Sequence, residues 1–319
     1  METRSFAEYE LSRLMLGTVQ FGMPYGVANR TGQPDYDEVK AIVTAALDGG
    51  VNCVDTAAIY GTSEEVLGRV FHELGVADRV VVVSKVRALK PGELADAAVS
   101  AQAIEQSVAE SRRRLRLDCL PVVLFHHEPD GVHLPVLERL KARGWLRHAG
   151  VSCGNRPGLA AKYVEEGLAS ALQLPGNVLD PRHQRSGVFR QAAARGVAVF
   201  IRSVYLQGLL VMPEETIPPA LRVVVPVRRR LAQIGGEAGM TLPELAVRYM
   251  LSQEGVTCIL TGVETVAQIR ENLALFNRGP LTPDLLAAVV AAVPDLPDTI
   301  LTPFFWTTMT TPGSDKQNK

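Results

Sequence analysis

Four residues with the functional groups of a proton-transfer site stand at the ends of short apolar runs. Asp55, Lys85 and His126 are each the last residue of such a run, and Tyr60 follows Asp55 after a short gap. A short apolar run that ends in a polar group is typical of a buried strand whose last residue leaves the core. The pattern therefore predicts three strand ends that carry a carboxylate, an amine and an imidazole, with a phenol in the loop after the first.

These four groups suit acid catalysis by the phenol. A tyrosine has a reference pKa of about 10 and is a poor acid at neutral pH, but a neighbouring ammonium favours its phenolate. Lys85 supplies that ammonium, Asp55 holds it charged and oriented, and His126 adds a second polar group beside the Tyr60 hydroxyl. The set therefore predicts a proton donor next to a bound oxygen atom.

Each residue taken alone also has a structural explanation. Asp55 could cap a helix, Lys85 could form a salt bridge, and His126 could be a hydrogen-bonded imidazole of the core. A metal site is a further alternative, because His126, His127, Glu128 and His133 lie close together in the chain. Adjacent strand residues point to opposite faces, which separates the first two histidines and disfavours the metal. The joint occurrence of the four groups at strand ends favours catalysis.

The elements that would position these groups alternate regularly. Eight apolar runs predict strands at 14–17, 51–55, 80–85, 122–126, 146–152, 171–174, 198–203 and 257–260. Amphipathic patterns predict helices at 37–48, 63–74, 94–115, 134–143, 158–166, 187–195, 242–253 and 265–278, with additional helices at 223–237 and 284–292. Strands that alternate with helices in this number predict a single parallel (β/α)8 TIM barrel, with active-site residues at the carboxyl ends of its strands.

Composition places the chain among ordinary globular proteins. It has 319 residues, of which 47% are hydrophobic and 21% charged, and a net charge of −1. We expect one domain over residues 1–319, with neither nucleic acid nor a membrane as partner. Without a signal-peptide pattern or a membrane-spanning run, the expected location is cytoplasmic. The segment 302–319 has an aromatic start and a polar end, and we expect a tail there.

At residues 55–69, DTAAIYGTSEEVLGR, the chain resembles the aldo-keto reductase family, and Gly17 to Gly22 resembles the opening of its bacterial-type members. The resemblance implies a TIM barrel enzyme with a catalytic tetrad of Asp55, Tyr60, Lys85 and His126. It also implies an oxidoreductase in which a nicotinamide cofactor delivers hydride to an aldehyde or ketone and Tyr60 protonates the resulting alcohol oxygen. In this family the C-terminal segment often borders the substrate pocket, so the tail is a candidate lid.

The resemblance also implies where a dinucleotide binds, since no Gly-x-Gly-x-x-Gly fingerprint follows the first strand. The corresponding positions are Ser152, Gln173, Arg202, Ser203, Leu206, Gly208, Gly262, Thr265, Gln268, Glu271 and Asn272. Arg202 takes the place of a stacking tyrosine, and we expect it to be offset from the ring or paired with an acid. The helix start at Thr265 suits a phosphate. NADP(H) is the expected cofactor and NAD(H) the alternative, because the two basic residues common in NADP-dependent members are missing.

The substrate is a small carbonyl compound or alcohol, either sugar-like or apolar, and its candidate pocket residues are Gln20, Phe21, Tyr25, Ile59, His127 and Tyr205. Between the two adjacent histidines, we expect His126 to be catalytic and His127 to form the pocket wall. Two other functions remain open at this point. One is a nucleotide-binding regulatory subunit of the same fold, and the other is an aldolase that uses Lys85 as a Schiff-base amine.

Overall fold

Eight parallel strands close into a barrel at the centre of the computed structural model, which describes residues 1–26, 29 and 32–306. A two-stranded antiparallel hairpin, β1 and β2, precedes the barrel strands β3 to β10. The strands are β1 (Thr3–Phe6), β2 (Tyr9–Ser12), β3 (Leu14–Gly17), β4 (Cys53–Asp55), β5 (Val81–Val86), β6 (Leu120–Phe125), β7 (Leu146–Ser152), β8 (Ala171–Pro175), β9 (Ala198–Arg202) and β10 (Cys258–Gly262). The barrel strands pair in chain order, and β10 closes the ring against β3.

Helices surround this barrel and follow its strands in turn, which confirms the predicted (β/α)8 TIM barrel. They are α1 (Val19–Gly22), α2 (Tyr36–Asp48), α3 (Ser63–Leu74), α4 (Ala97–Leu115), α5 (Leu134–Ala142), α6 (Pro157–Glu165), α7 (Arg182–Arg185), α8 (Val188–Ala194), α9 (Val225–Glu237), α10 (Leu242–Leu251), α11 (Val266–Phe276), α12 (Pro283–Ala292) and α13 (Asp298–Leu301). The predicted extra helices correspond to α9 and α12. The very short α1, α7 and α13 have too few residues for a periodic pattern and were not predicted.

Local sequence explains where several of these elements begin and which face they bury. Asp35 caps α2 by accepting a hydrogen bond from the Glu38 amide at 2.9 Å, and Asp96 caps α4 in the same way. Along β5, Val81 and Val83 belong to the cluster inside the barrel, whereas Val82 packs toward the helices. This alternation follows from the two-residue period of a strand, so each barrel strand has apolar side chains on both faces.

The hairpin closes the end of the barrel at which the strands begin. Its Phe6 belongs to the interior cluster and contacts the Phe200 ring edge-on at a centroid distance of 6.4 Å. The Asn52 amide, just before β4, donates to the Glu10 carbonyl at 2.7 Å. The sequence analysis did not predict this hairpin, because its strands have four residues each and most side chains of β1 are exposed. Ligands must therefore reach the barrel from its other end.

The C-terminal segment lies against that other end as far as it is described. Trp306 is buried and its indole N–H donates to the Ile300 carbonyl at 3.1 Å, while Phe304 is exposed. Residues 307–319 of the predicted tail lie outside the described residues. Within the described part of the chain, no helix has the length and apolar character that crossing a membrane requires.

The position of Phe6 leads to a stability prediction. Because its ring is 4% exposed and fills the closed end of the barrel, Phe6→Ala should lower the free energy of unfolding by about 3–5 kcal/mol. Urea unfolding followed by circular dichroism measures this change. Arg4→Ala, on the exposed part of the same hairpin, serves as the control and should change stability little. Equal stability of the two variants would contradict the role of Phe6 as a plug.

Candidate active site

A cavity of about 900 Å³ opens at the end of the barrel where the strands finish. Its volume is near the upper end of the range found for small-molecule and cofactor pockets. Most of the predicted site residues line it. These are Asp55, Tyr60, His126, Ser152, Gln173, Arg202, Ser203, Leu206, Gly208, Gly262, Gln268, Glu271, Asn272, Gln20, Tyr25, Ile59 and Tyr205.

A buried ion pair lies at the base of the cavity. The Lys85 ammonium donates to Asp55 Oδ1 at 2.6 Å, to the Thr56 carbonyl at 2.9 Å and to the Tyr60 hydroxyl at 3.4 Å. Both members of the pair are almost fully buried. Burial alone would lower the pKa of Lys85, but Asp55 and Tyr60 together outweigh it and the net shift is upward. Lys85 therefore keeps its charge, and its three protons have three partners.

The Tyr60 hydroxyl is placed between this ammonium and an imidazole. Burial raises the pKa of Tyr60, and the charge of Lys85 opposes that rise. The Tyr60 and His126 rings meet edge-on with centroids 5.6 Å apart. The hydroxyl therefore faces the cavity with a cation on one side and a polar ring on the other.

His126 follows directly after β6, where its backbone N–H donates to the Val86 carbonyl at 3.1 Å. Burial lowers the pKa of its imidazole to about 3, and the cations Lys85 and Arg202 add to this effect. Its Nδ1 is buried and has no hydrogen-bond partner among the described residues. His126 is thus a neutral imidazole in the physiological range, able to offer one donor and one acceptor.

Two predicted substrate residues do not reach the cavity. The His127 side chain turns away, with its Nδ1 3.3 Å from Asp130 Oδ1 and 55% of its surface exposed. Phe21 has no exposed surface and packs in the core between barrel and helices. The assignment of both residues to the pocket wall was therefore wrong. Strand geometry explains the first case, because neighbours at a strand end diverge, and the inward face of α1 explains the second.

Gln173 connects the predicted cofactor residues to the ion pair. It lies in β8, and its Nε2 donates to Asp55 Oδ1 at 2.7 Å. One of its two amide protons is consequently in use, and the amide oxygen and the second proton remain for a ligand. Ser152, at the end of β7, is buried at the cavity wall nearby. Ser152 is the last residue of β7, whereas Gln173 lies in the middle of β8.

Arg202 and the loop after it form one side of the cavity. The guanidinium of Arg202 donates to the Cys153 carbonyl at 3.0 Å, so its partner here is a backbone oxygen. Of the two arrangements expected for Arg202, an offset from the nicotinamide ring therefore stays a prediction. In the following loop, Ser203, Leu206 and Gln207 adopt left-handed φ values of 64°, 47° and 51°. Such conformations cost about 1–3 kcal/mol each and cluster at binding sites. The loop therefore has a strained backbone and lines the cavity.

The start of α11 differs from the prediction at Thr265. Its hydroxyl accepts from the Gln268 amide at 3.2 Å, and Thr265 is not among the cavity-lining residues. The Gln268 side-chain oxygen accepts from the amides of Glu264 and Thr265, and the Val266 amide donates to Glu38 Oε1 at 2.8 Å. Side chains therefore already occupy most of the amides that were expected to bind a phosphate, and that expectation was wrong.

Some lining residues were missed by the sequence analysis. Thr18 is fully buried at the cavity floor and its hydroxyl donates to the Asp55 carbonyl at 2.8 Å. It follows the last residue of β3, so the rule applied to the other strand ends would have found it. Glu264, which also lines the cavity, lies two residues after the end of β10. Leu301 to Phe304 also border the cavity, next to the opening that the candidate lid would cover.

The donors and acceptors of this cavity fit an elongated polar ligand such as a nicotinamide dinucleotide. Gln20 Oε1, like His126 Nδ1, is buried without a hydrogen-bond partner among the described residues. At Gly262 an added Cβ would come within 2.6 Å of Gln20 Nε2, so the glycine keeps the cavity wall thin there. No group of three metal-ligating side chains is found within residues 1–26, 29 and 32–306.

Comparison with known proteins agrees with this fold and site. The family model described as "Aldo/keto reductase family" matches residues 13–293. The chain therefore belongs to the aldo/keto reductase family, which is a family of oxidoreductases.

Three relatives show how far the similarity extends. A probable voltage-gated potassium channel subunit beta of Arabidopsis thaliana is 28% identical, with 90% of this chain and 97% of that protein covered. An NADH-specific methylglyoxal reductase of Escherichia coli (strain K12) is 25% identical, with 84% and 90% covered. The holo form of the aldo-keto reductase AKR11C1 from Bacillus halodurans superimposes with a TM-score of 0.75 at 21% identity, covering 94% and 99% of the two chains. At 21% identity, this last comparison supports a similarity of fold alone.

The low pKa of His126 predicts how stability depends on pH. The unfolded chain takes up this proton near pH ~6.5, whereas the folded protein does so only at about 3. The contribution is therefore fully present above pH ~6.5 and is lost as the pH falls toward about 3, by up to ~1.4 kcal/mol per pH unit. Urea unfolding between these limits should show a shallower pH dependence for His126→Ala than for the wild type. Parallel curves for the two proteins would exclude a buried neutral imidazole.

Proposed function

We propose that this protein reduces an aldehyde or ketone to an alcohol with a reduced nicotinamide dinucleotide, and that Tyr60 is the proton donor. The observation that carries the proposal is the contact of the buried Lys85 ammonium with the Tyr60 hydroxyl at 3.4 Å. A bound nicotinamide supplies the hydride. The residues of this chain then have to bind the carbonyl, hold its oxygen and deliver one proton to it.

Each member of the tetrad has a distinct task in this proposal. Tyr60 gives its proton to the carbonyl oxygen as negative charge develops there, and the Lys85 ammonium stabilises the phenolate that remains. Asp55 keeps Lys85 charged and in place through the 2.6 Å contact. His126 is neutral because burial lowers its pKa to about 3, so it orients the carbonyl oxygen by a hydrogen bond and adds no charge.

Other cavity residues would hold the cofactor. We assign the nicotinamide end to Ser152, Gln173 and Arg202, and the diphosphate to the strained loop from Ser203 to Gly208. The adenosine end then extends toward Gly262, Gln268, Glu271 and Asn272. The sequence favoured NADP(H) over NAD(H), whereas the E. coli relative is named as NADH-specific. The charges around the adenosine end bear on this choice.

The substrate we propose is a small carbonyl compound, with a sugar-like aldehyde as one candidate class. Polar side chains of Asn155 and Asn177 share the cavity with the exposed apolar side chain of Ile59 and with Tyr25. Gln20, which contacts Glu264, belongs instead to the adenosine end. This mixed lining suits a short ligand with hydroxyl groups. The segment from Leu301 to Phe304 borders the same space, and its role as a lid remains our proposal. A cytoplasmic location and the absence of nucleic-acid partners also remain predictions.

Two other functions are weighed against this one. A regulatory subunit that binds the cofactor is the second candidate, because the Arabidopsis relative is named as a potassium channel subunit beta. Turnover of a panel of aldehydes separates the two, since a regulatory subunit needs no substrate. The aldolase alternative is disfavoured, because a Lys85 amine that is protonated and held by three partners is a poor nucleophile.

Loss of the Tyr60 hydroxyl provides the main test. Tyr60→Phe should retain the rise in melting temperature on adding NADH or NADPH, because the fold and cofactor contacts persist. Its kcat for aldehyde reduction should fall roughly 10²–10⁴-fold, because proton donation is lost. Tyr249→Phe removes a hydroxyl that bonds Gln184 outside the cavity and should keep its activity. If neither dinucleotide binds the wild type, the oxidoreductase proposal fails; if Tyr60→Phe stays active, only the role of Tyr60 does.

The adjacent histidines provide a second test. His126→Ala should lower kcat strongly, because the imidazole faces Tyr60 in the cavity. His127→Ala should leave kcat and KM nearly unchanged, because this side chain contacts Asp130 and does not line the cavity. Steady-state kinetics with one aldehyde measures both. A larger loss in the His127 variant would mean that the catalytic histidine has been misassigned.

A further inference from the structure

The two ends of the cavity carry opposite charge. The end with the tetrad has the Lys85 ammonium beneath it and the Arg202 guanidinium beside it. The other end, where α11 begins, is lined by the carboxylates Glu264 and Glu271. Arg202 is the single lysine or arginine among the described residues that line the cavity, so none of these residues brings a cation to the far end. A ligand that spans the cavity must therefore suit positive charge at one end and negative charge at the other.

Within the described part of the chain, the hydrogen bonds of the Glu264 carboxylate come from neutral side-chain amides. Its Oε1 accepts from Gln20 Nε2 at 3.3 Å, and its Oε2 accepts from Gln268 Nε2 at 2.8 Å. The oxygen of Gln268 accepts from two backbone amides, which fixes this side chain in place. The oxygen of Gln268 and one of its two amide protons are thus in use, which holds the Glu264 carboxylate in place. The charge of Glu264 is oriented by these contacts but is not neutralised.

The start of α11 adds to the negative character. Glu38, from α2, accepts from the Val266 amide at 2.8 Å and so takes up a position where an anion would otherwise bind. Glu271 lies one turn further along the helix and also lines the cavity. Burial of Tyr205 is the main cause that raises the pKa of this tyrosine, and the negative charge of Glu271 raises it further. Three carboxylates therefore surround this helix start from different elements.

An independent feature points to the ligand that this end would accept. Gln20 is 7% exposed, and its Oε1 has no hydrogen-bond partner among the described residues although it borders the cavity beside Glu264. The carboxylates of Glu264 and Glu271 and the Gln20 amide oxygen all offer acceptors at this end of the cavity. Acceptors pair with hydroxyl groups, which donate, and not with phosphate oxygens, which only accept.

We propose that this end of the cavity selects an adenosine ribose with free hydroxyl groups, so that the protein binds NAD(H) in preference to NADP(H). The inference rests on the proposed function, because it takes a nicotinamide dinucleotide as the ligand. A 2′-phosphate would bring about −1.5 to −2 charges next to Glu264 and Glu271, whereas a 2′-hydroxyl can donate to either carboxylate. This proposal reverses the preference for NADP(H) that the sequence suggested. The lack of the two basic residues only weakens the binding of a 2′-phosphate, whereas the carboxylates of Glu264 and Glu271 repel it.

Direct binding measurements test this selection without relying on turnover. Isothermal titration of the full-length protein with NADH and with NADPH, in the same buffer, should give a Kd at least about tenfold lower for NADH. Because the repulsion acts between charges near solvent, raising the salt from about 0.01 M to about 1 M should narrow the difference between the two values. Tighter binding of NADPH would overturn the inference while leaving the proposed function intact.

Charge-neutral variants identify the residues responsible. Glu264→Gln and Glu271→Gln should each lower the Kd for NADPH several-fold and leave the Kd for NADH equal or higher, which narrows the selectivity. Glu254→Gln makes the same change at an exposed site before β10, at the opposite end of the barrel, and should alter neither value. Far-ultraviolet circular dichroism confirms that each variant is folded.

The outcomes separate the two proposals. Failure of the wild type to bind either dinucleotide would refute the proposed function. Binding of both with unchanged selectivity in the Glu264 and Glu271 variants would refute the inference alone. An equal effect of Glu254→Gln would show that net charge, and not the carboxylates at the start of α11, sets the selectivity.

Discussion

The buried ion pair of Lys85 and Asp55 is the interaction on which the mouth of the barrel depends. Removing two charges from water is costly, and the cost is recovered only if each charge has close partners. Lys85 meets this condition with three acceptors, and Asp55 Oδ1 accepts from both Lys85 and Gln173. Loss of one partner from such a pair costs about 3–5 kcal/mol. The site and the stability of the fold are thus tied together, since the groups that orient the Tyr60 hydroxyl also satisfy a buried charge.

The barrel and the tetrad could be predicted because both rest on local patterns. Strands with apolar residues on both faces appear as short continuous runs, and the polar residue that ends a run lies at the rim whatever the packing elsewhere. Phe21 and His127 could not be placed, because the rotation of a four-residue helix and the direction of a side chain beyond a strand depend on neighbours distant in sequence. The prediction of a phosphate site at Thr265 was wrong for a related reason. Glu38, which lies 228 residues before Val266 in the chain, accepts the hydrogen bond of the Val266 amide.

The loop after β9 shows a different limit of sequence reasoning. Ser203, Leu206 and Gln207 are ordinary residues, yet all three have positive φ values. Nothing in their types predicts a left-handed backbone, which usually falls to glycine. The surrounding structure must hold them there, and buried Val204 and Leu206 anchor the loop in the core. A strained segment maintained in this way keeps a fixed shape before any ligand arrives, so little ordering is left to be done on binding.

The hydrogen bond from Gln173 to Asp55 has a mechanical consequence. Asp55 ends β4 and Gln173 lies in β8, and these strands are four positions apart in either direction around the ring of eight. The two side chains joined by this bond therefore connect opposite walls of the barrel. A wider barrel would lengthen the bond between them. Heat, pressure or a mutation on the far wall that widens the barrel would pull on Asp55, and through Lys85 the change would reach the phenol of Tyr60. We therefore expect the pKa of Tyr60 to change when the width of the barrel changes.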